Sequence, residues 1–151
     1  MKRLRVLYLC TGNSCRSQMA EGWTRKLRHE SVDACSAGTQ PKGIDPLAVR
    51  AMAEVGVDLS ASTSKSPADL DLSALDVVVT VCGHADETCP ELPLGVRKVH
   101  VGFDDPPALA RDVADEEAVF EIYRRVRDEI RRFVEGLPAT LSGDAAASRD
   151  A

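Results

Sequence analysis

The chain has 151 residues, 44% of them apolar and 28% charged, with a net charge of −5. That is the make-up of one globular domain with its own core, and the negative balance disfavours nucleic acid or an anionic membrane as a partner. The five cysteines are too few for a disulfide-built scaffold, and being odd in number they cannot all pair within the chain.

The basic start Met1-Lys2-Arg3-Leu4-Arg5 leads into an apolar run that stops at Thr11-Gly12-Asn13, too short for the core of a secretory signal. No apolar run approaches the ~20 residues of a membrane span. The expectation is a cytoplasmic protein, and in a reducing compartment cysteines serve catalysis or metal binding before structural bridges. The run over residues 4–9 predicts a buried strand. A helix follows over 17–28, with Met19, Trp23 and Leu27 on one face. A second strand is read over 32–35, ended by Ser36-Ala37-Gly38. Residues 46–54 read as a helix capped by Asp45, with Pro46 in its first position. Its apolar stripe is Leu47, Met52 and Val55, and Gly56 closes it.

Ser66-Pro67-Ala68-Asp69 marks a short helical start. Residues 77–81 give the strongest strand signal, unbroken as in a parallel strand buried on both faces, and a fourth strand spans 96–101. A long helix over 116–136 sets Val119, Ile122, Tyr123, Val126, Ile130 and Phe133 on one face. On its polar face Glu121 is spaced to pair with Arg124 and Arg125, and Asp128 with Arg131 and Arg132. Residues 138–151 are rich in small side chains and read as a disordered tail, leaving 1–137 as the domain. The alternation predicts an α/β fold, a four-stranded parallel sheet with helices on both faces. Ligands of such sheets sit beyond the carboxyl ends of the strands, where the loops that open at Cys10, Cys82 and Phe103 share one rim.

The first of these loops is Cys10-Thr11-Gly12-Asn13-Ser14-Cys15-Arg16-Ser17. Successive backbone N–H groups at a helix N-terminus cradle an anion. Gly12 and Asn13 tolerate the left-handed backbone that a tight cradle asks for. Arg16 offers a planar fork of donors to a tetrahedral oxyanion. Such surroundings favour the thiolate of a cysteine at their mouth, the place of Cys10, and Ser17 is set to hydrogen-bond that sulfur. A bland alternative is a strand-to-helix turn whose Cys10 merely ends a buried strand. The nucleotide-binding pattern G-x-x-x-x-G-K-[ST] is absent.

Asp104-Asp105-Pro106-Pro107 on the same rim offers a general acid for a leaving oxygen. Asp105 is the candidate; Asp104 reads as solvated or capping. On a helix the sulfurs of Cys82 and Cys89 would lie roughly 10 Å apart, while a disulfide needs Cα atoms within about 7 Å. Bridging them therefore requires the segment to unwind, which makes it a switch. Zinc on Cys10, Cys15, Cys82 and Cys89 is disfavoured, because their spacings are not those of paired knuckles; no metal site is expected. Without a Cys-x-x-Cys, the chain reads as a client of a thioredoxin-like reductant.

Several stretches together resemble the thioredoxin-coupled arsenate reductases, which share the fold of the low-molecular-weight protein tyrosine phosphatases. They are the cysteine loop continued through Gln18-Met19-Ala20-Glu21-Gly22-Trp23, Ser36-Ala37-Gly38, Val79-Thr80-Val81-Cys82 with Cys89-Pro90, Gly102-Phe103-Asp104-Asp105-Pro106, and Arg125-Val126-Arg127-Asp128-Glu129-Ile130. The resemblance spans residues 4–136. It implies that Thr11, Gly12, Asn13, Ser14, Cys15 and Arg16 bind arsenate, or phosphate as its analogue. It further implies that Cys10 attacks the arsenate while Asp105 protonates the departing oxygen. Cys82 then attacks Cys10 and arsenite leaves; Cys89 attacks Cys82; and thioredoxin reduces the exposed Cys82–Cys89 disulfide. The thiols supply the electrons, so no bound cofactor is implied.

Members of this family bind potassium through Asn13, Glu21, Ser36 and an aspartate where this chain has Lys65. The expectation is that the Lys65 ammonium replaces the ion, pairs with Glu21, and leaves no potassium site. Cys35 stands where the family carries an aromatic and reads as a small core residue. Cys15 reads as structural, with an off-pathway bridge to Cys10 on oxidation. His29, His84 and His100 read as structural or solvated, and Arg124, Arg125, Arg131 and Arg132 as a solvated face. A monomer is expected. A phosphotyrosine phosphatase is disfavoured by Gln18 after Ser17, by Pro107 after Asp105-Pro106 and by the Cys82/Cys89 pair, although weak phosphatase turnover is expected. A non-catalytic redox or arsenic sensor would have no use for Asp105.

Overall fold

A computed structural model describes residues 2–141. Strands β1 (Leu4–Cys10), β2 (Val32–Gly38), β3 (Val77–Thr80) and β4 (Arg97–His100) form one sheet in the order β2-β1-β3-β4, with every neighbouring pair parallel. Helices α1 (Arg16–Leu27), α2 (Pro46–Ala53), α3 (Gly83–Thr88), α4 (Pro106–Ala110) and α5 (Glu116–Glu135) surround it. All four residues of β3 and the last five of β1 are buried, so both faces of the central strands are covered. The expected four-stranded parallel α/β fold is the one observed. Among the described residues no helix is long and apolar enough to cross a membrane.

Local chemistry sets the ends of α2 and of the 3-10 turn at Pro67. Asp45 caps α2 through a 2.9 Å bond from the Leu47 N–H, Pro46 opens the helix, and Gly56 follows it at φ +80. Within α2, Met52 is buried as expected, but Ala48 and Ala51 make the close approach while Leu47 and Val55 stay half-buried. Ser66 and Asp69 form a capping box around the 3-10 turn Pro67–Asp69. α3 and α4, with six and five residues, are helices that the sequence pattern did not reveal. Elements that short show no periodicity.

α1 packs against α5 and β2, and α5 against α2. Trp23 is buried and its indole N–H donates to the Arg127 carbonyl at 3.0 Å, which ties α1 to α5. Along α5 the buried residues are Phe120, Tyr123, Val126, Arg127, Ile130, Phe133 and Val134, while Val119 and Ile122 are half-buried. Arg127 is tolerated inside because it donates to the Ala51 carbonyl at 3.0 Å, to Glu54 at 2.8 Å and to Asp128 at 2.8 Å.

The ion pairs on α5 differ from the expected set. Glu121 pairs with Arg124, but Arg125 turns to Asp104 and Glu129, Asp128 pairs with Arg127, and Arg131 with Glu135. Arg124 also reaches Glu54 beyond the end of α2, so this face is tied to its neighbour and not merely solvated. Chain order extends past the expected boundary at 137: residues 139–141 form a 3-10 turn, Leu141 is buried, and its carbonyl accepts from Arg97. The rest of the predicted tail lies outside the described residues.

Candidate active site

Cys10 ends β1 and Cys15 caps α1, so the loop between them lies beyond the carboxyl edge of the sheet. All six carbonyls from Cys10 to Cys15 are engaged. Cys10, Thr11, Gly12 and Ser14 accept from the backbone N–H groups of Thr39, Gln40, Lys42 and Asp45, and Cys15 from that of Met19. Asn13 accepts from the Ser64 hydroxyl at 2.7 Å and the Gln18 amide at 3.2 Å. The N–H groups of Thr11 to Cys15 have no partner among the described residues, which leaves a run of donors beside a cavity of about 170 Å³. Cys10, Arg16, Asp105 and Lys42 line that cavity.

Asn13 adopts the expected left-handed backbone at φ +48, but Gly12 does not. Glycine at 12 is explained by proximity: a Cβ there would meet Lys42 Cε at 2.8 Å. Gly38 is more constrained still, since a Cβ would lie 2.6 Å from both the Asn13 nitrogen and the Thr11 oxygen. The backbone of β2 therefore passes directly against the loop.

The thiol of Cys10 lies 2.9 Å from the Ser17 hydroxyl, which also accepts from the Asn13 amide at 2.9 Å. With its lone pair so occupied, Ser17 is free to donate its proton to sulfur. Arg16 donates to the Phe103 carbonyl at 3.0 Å and sits 3.6 Å from the Asp105 carboxylate. Asp105 is on the cavity and Asp104 is not; Asp104 pairs with Arg125 at 3.1 Å and caps nothing. Asp45 joins this loop to α5: its N–H holds Ser14, and its carboxylate accepts from the Tyr123 hydroxyl at 2.6 Å. Burial, then that hydrogen bond, pushes the Tyr123 phenol up, so it stays a donor. Burial also pushes the Cys15 thiol well up.

Cys82 and Cys89 cap the two ends of α3. Cys82 is buried, touches Thr11 Oγ1 at 3.4 Å, and accepts from the Ala85 N–H at 3.4 Å. Cys89 is half-buried, and burial raises its pKa. Asp86 anchors the helix: it accepts from Thr80 at 3.1 Å and pairs with Lys98 of the edge strand at 3.2 Å. Partial burial works against the Asp86 carboxylate, but the bonds from Lys98 and Thr80 prevail and hold it below the usual range. His100 touches Thr80 at 2.9 Å, and His84 is exposed.

The expected Lys65–Glu21 pair is not formed. Glu21 accepts from Ser36 at 2.6 Å and pairs with Arg25 at 2.8 Å, while the Lys65 ammonium donates to the Thr63 carbonyl at 3.2 Å. The Lys65 N–H takes the Asn13 side-chain oxygen at 2.9 Å. Cys35 is half-buried beside this group, and burial first, then Glu21, pushes its thiol up to about 11. Among the described residues no group of His, Cys, Asp or Glu is placed to hold a metal ion. Lys42 and Ser64 carry no signal in the sequence, and Gln18 enters there only as a family residue. Their parts rest on contacts between distant segments.

The family of low molecular weight phosphotyrosine protein phosphatases matches residues 5–147. An arsenate reductase of Halalkalibacterium halodurans is 44% identical over 93% of this chain and 99% of that protein. One of Bacillus subtilis is 47% identical over 83% of this chain and 88% of that protein. Among solved structures, an arsenate reductase in the phosphate binding state superposes with a TM-score of 0.71 at 30% identity, covering 92% of this chain and 99% of its own. A low molecular weight protein tyrosine phosphatase from T. tengcongensis superposes with a TM-score of 0.67 at 26% identity, covering 89% and 97%.

Proposed function

The chain belongs to the low molecular weight phosphotyrosine protein phosphatase family, and we propose that it works within that family as an arsenate reductase with a three-cysteine relay. The observation that carries this reading is the meeting of two unlike thiols. Cys10 ends in an anion cradle, and Cys82 touches that cradle at Thr11 while capping a helix that Cys89 closes. A phosphatase needs the first thiol and has no use for the others.

The chemistry balances with thiols alone. Arsenate sits on the N–H groups of the loop and on Arg16. The Cys10 sulfur forms a bond to arsenic, and the departing oxygen takes a proton from Asp105 and leaves as water. The Cys82 sulfur then attacks Cys10; the S–As electron pair passes to arsenic, which leaves as arsenite, and a Cys10–Cys82 disulfide remains. Two electrons have moved, one from each of two thiols. Cys89 attacks Cys82 once α3 unwinds, which frees Cys10 as the thiol. The resulting Cys82–Cys89 disulfide is the substrate of thioredoxin. Weak phosphatase turnover follows from the same cradle and acid.

The side chains do not fit the potassium ion that relatives of this type are expected to hold. Glu21 is taken by Ser36 and Arg25, and the Asn13 oxygen by the Lys65 N–H. We therefore expect equal turnover in potassium and sodium chloride; specific activation by potassium would overturn that. The relay itself is tested by NADPH consumption with arsenate, thioredoxin and thioredoxin reductase. Cys10→Ser, Cys82→Ser and Cys89→Ser should each abolish it. Normal turnover of Cys89→Ser would refute the relay, and better support from glutaredoxin and glutathione would refute thioredoxin.

A further inference from the structure

Arg16 is the cation that the sequence offers the cradle, and neighbouring groups already hold it. The guanidinium donates to the Phe103 carbonyl and lies 3.6 Å from the Asp105 carboxylate. An ionised Asp105 offsets part of that charge, and the whole chain carries −5. Even with Asp105 protonated to serve as the acid, one guanidinium faces a doubly charged oxyanion, so a second cation on the cavity adds attraction.

Lys42 stands on the same cavity. Its N–H donates to the Gly12 carbonyl at 3.0 Å, which fixes its backbone to the loop. Its stem lies along Gly12, close enough that a Cβ on that glycine would come within 2.9 Å of Lys42 Cγ and 2.8 Å of Cε. Among the described residues its ammonium pairs with no carboxylate. It is thus an exposed lysine laid across an anion cradle with its charge uncommitted.

We infer that Lys42 is the second cationic contact of the oxyanion site, and that it favours doubly charged tetrahedral anions such as phosphate and arsenate. The inference takes its substrate from the arsenate reading, but its charge argument stands on the cavity alone. Gly12 belongs to the same device. A side chain there would push the lysine stem off the loop, so Gly12→Ala should mimic part of the loss of Lys42.

The test uses inorganic phosphate as the probe and alkylation of Cys10 by iodoacetamide, followed by peptide mass spectrometry, as the readout. Phosphate should protect Cys10 in the unchanged protein. Lys42→Gln should weaken that protection about 5- to 20-fold, and Lys42→Arg by no more than about twofold. Sodium chloride should narrow the gap between unchanged protein and Lys42→Gln. In turnover, Lys42→Gln should raise KM for arsenate by a similar factor with kcat within about twofold, the mark of a contact made equally in ground and transition states. Equal protection in Lys42→Gln and the unchanged protein would overturn the inference. So would equal loss in Lys42→Gln and Lys42→Arg, which would point to packing instead of charge. Lys42-dependent phosphate protection without any arsenate reduction would instead refute the arsenate reading and leave this site standing.

Discussion

Between Cys10 and Cys15 every backbone carbonyl has a donor, three of them from the segment that follows β2 within residues 39–42. Between Cys82 and Cys89 the chain is a six-residue helix, and among the described residues Thr80, Lys98 and, at the Cys82 cap, Thr11 reach it with side-chain bonds from outside. The two regions adjoin at Thr11 and Cys82 and are built to opposite ends. A site that recognises an oxyanion works best when its dipoles are fixed before the ligand arrives. In the proposed relay the segment between Cys82 and Cys89 has to give way, and a helix this short is marginal on its own.

The widest gap between the regions should appear when a sulfur is removed from each. Cys10→Ser should lower arsenate turnover by about 10³-fold or more. Cys89→Ser should allow one turnover and then stop, because in the proposed relay arsenite leaves before Cys89 acts. A single-turnover arsenite assay separates the two, and absence of that single turnover in Cys89→Ser would show that the relay is wrongly ordered. A smaller contrast lies in pH. Burial raises the Cys89 pKa above its ordinary value, so its thiolate is scarce at neutrality. Formation of the Cys82–Cys89 disulfide should accelerate by up to about tenfold per pH unit above neutrality and level off only beyond the ordinary thiol range. Quenched-flow trapping of the disulfide across pH checks this; a flat profile would place another step in control.

Backbone substitutions probe the same contrast. Gly38→Ala forces a methyl into the loop backbone, at 2.6 Å from Thr11 O and Asn13 N, and should cost about 1–3 kcal/mol of stability together with most oxyanion binding. Gly83→Ala meets nothing within 4 Å. At the first position of α3 it should favour the helix by about 0.4–1 kcal/mol and slow disulfide formation about two- to fivefold. Thermal melts and the disulfide assay read both. Gly83→Ala leaving the relay rate unchanged would mean that α3 need not unwind.

What the sequence made legible follows the same division. The cysteine loop, the Asp45-Pro46 cap and the valine run of β3 are local signals, and each lies where the pattern placed it. Nothing local in the sequence marks Lys42 or Arg127; Lys42 gains its place from Gly12 beneath it, and Arg127 from Glu54 and Ala51 around it. Lys65 was expected to answer Glu21 because a family position suggested it, whereas Arg25, one helical turn on, is nearer. Such roles are set by partners far away in the chain, and no window of sequence contains both.

The smallest effect belongs to the contact that holds α3 to the edge of the sheet. Asp86 and Lys98 are each about one-third exposed, so their pair contributes about 0.2–1 kcal/mol. Because the folded Asp86 pKa is depressed, this contribution is present above the unfolded carboxylate pKa and is lost as pH falls through the folded value. At neutral pH the latch is closed. Lys98→Met should open it, speed disulfide formation about twofold, and remove the salt dependence of that step, while phosphate protection of Cys10 stays as it was. If Lys98→Met instead weakened phosphate protection, the cradle and α3 would be one mechanical unit, and the contrast between a fixed region and a yielding one would be lost.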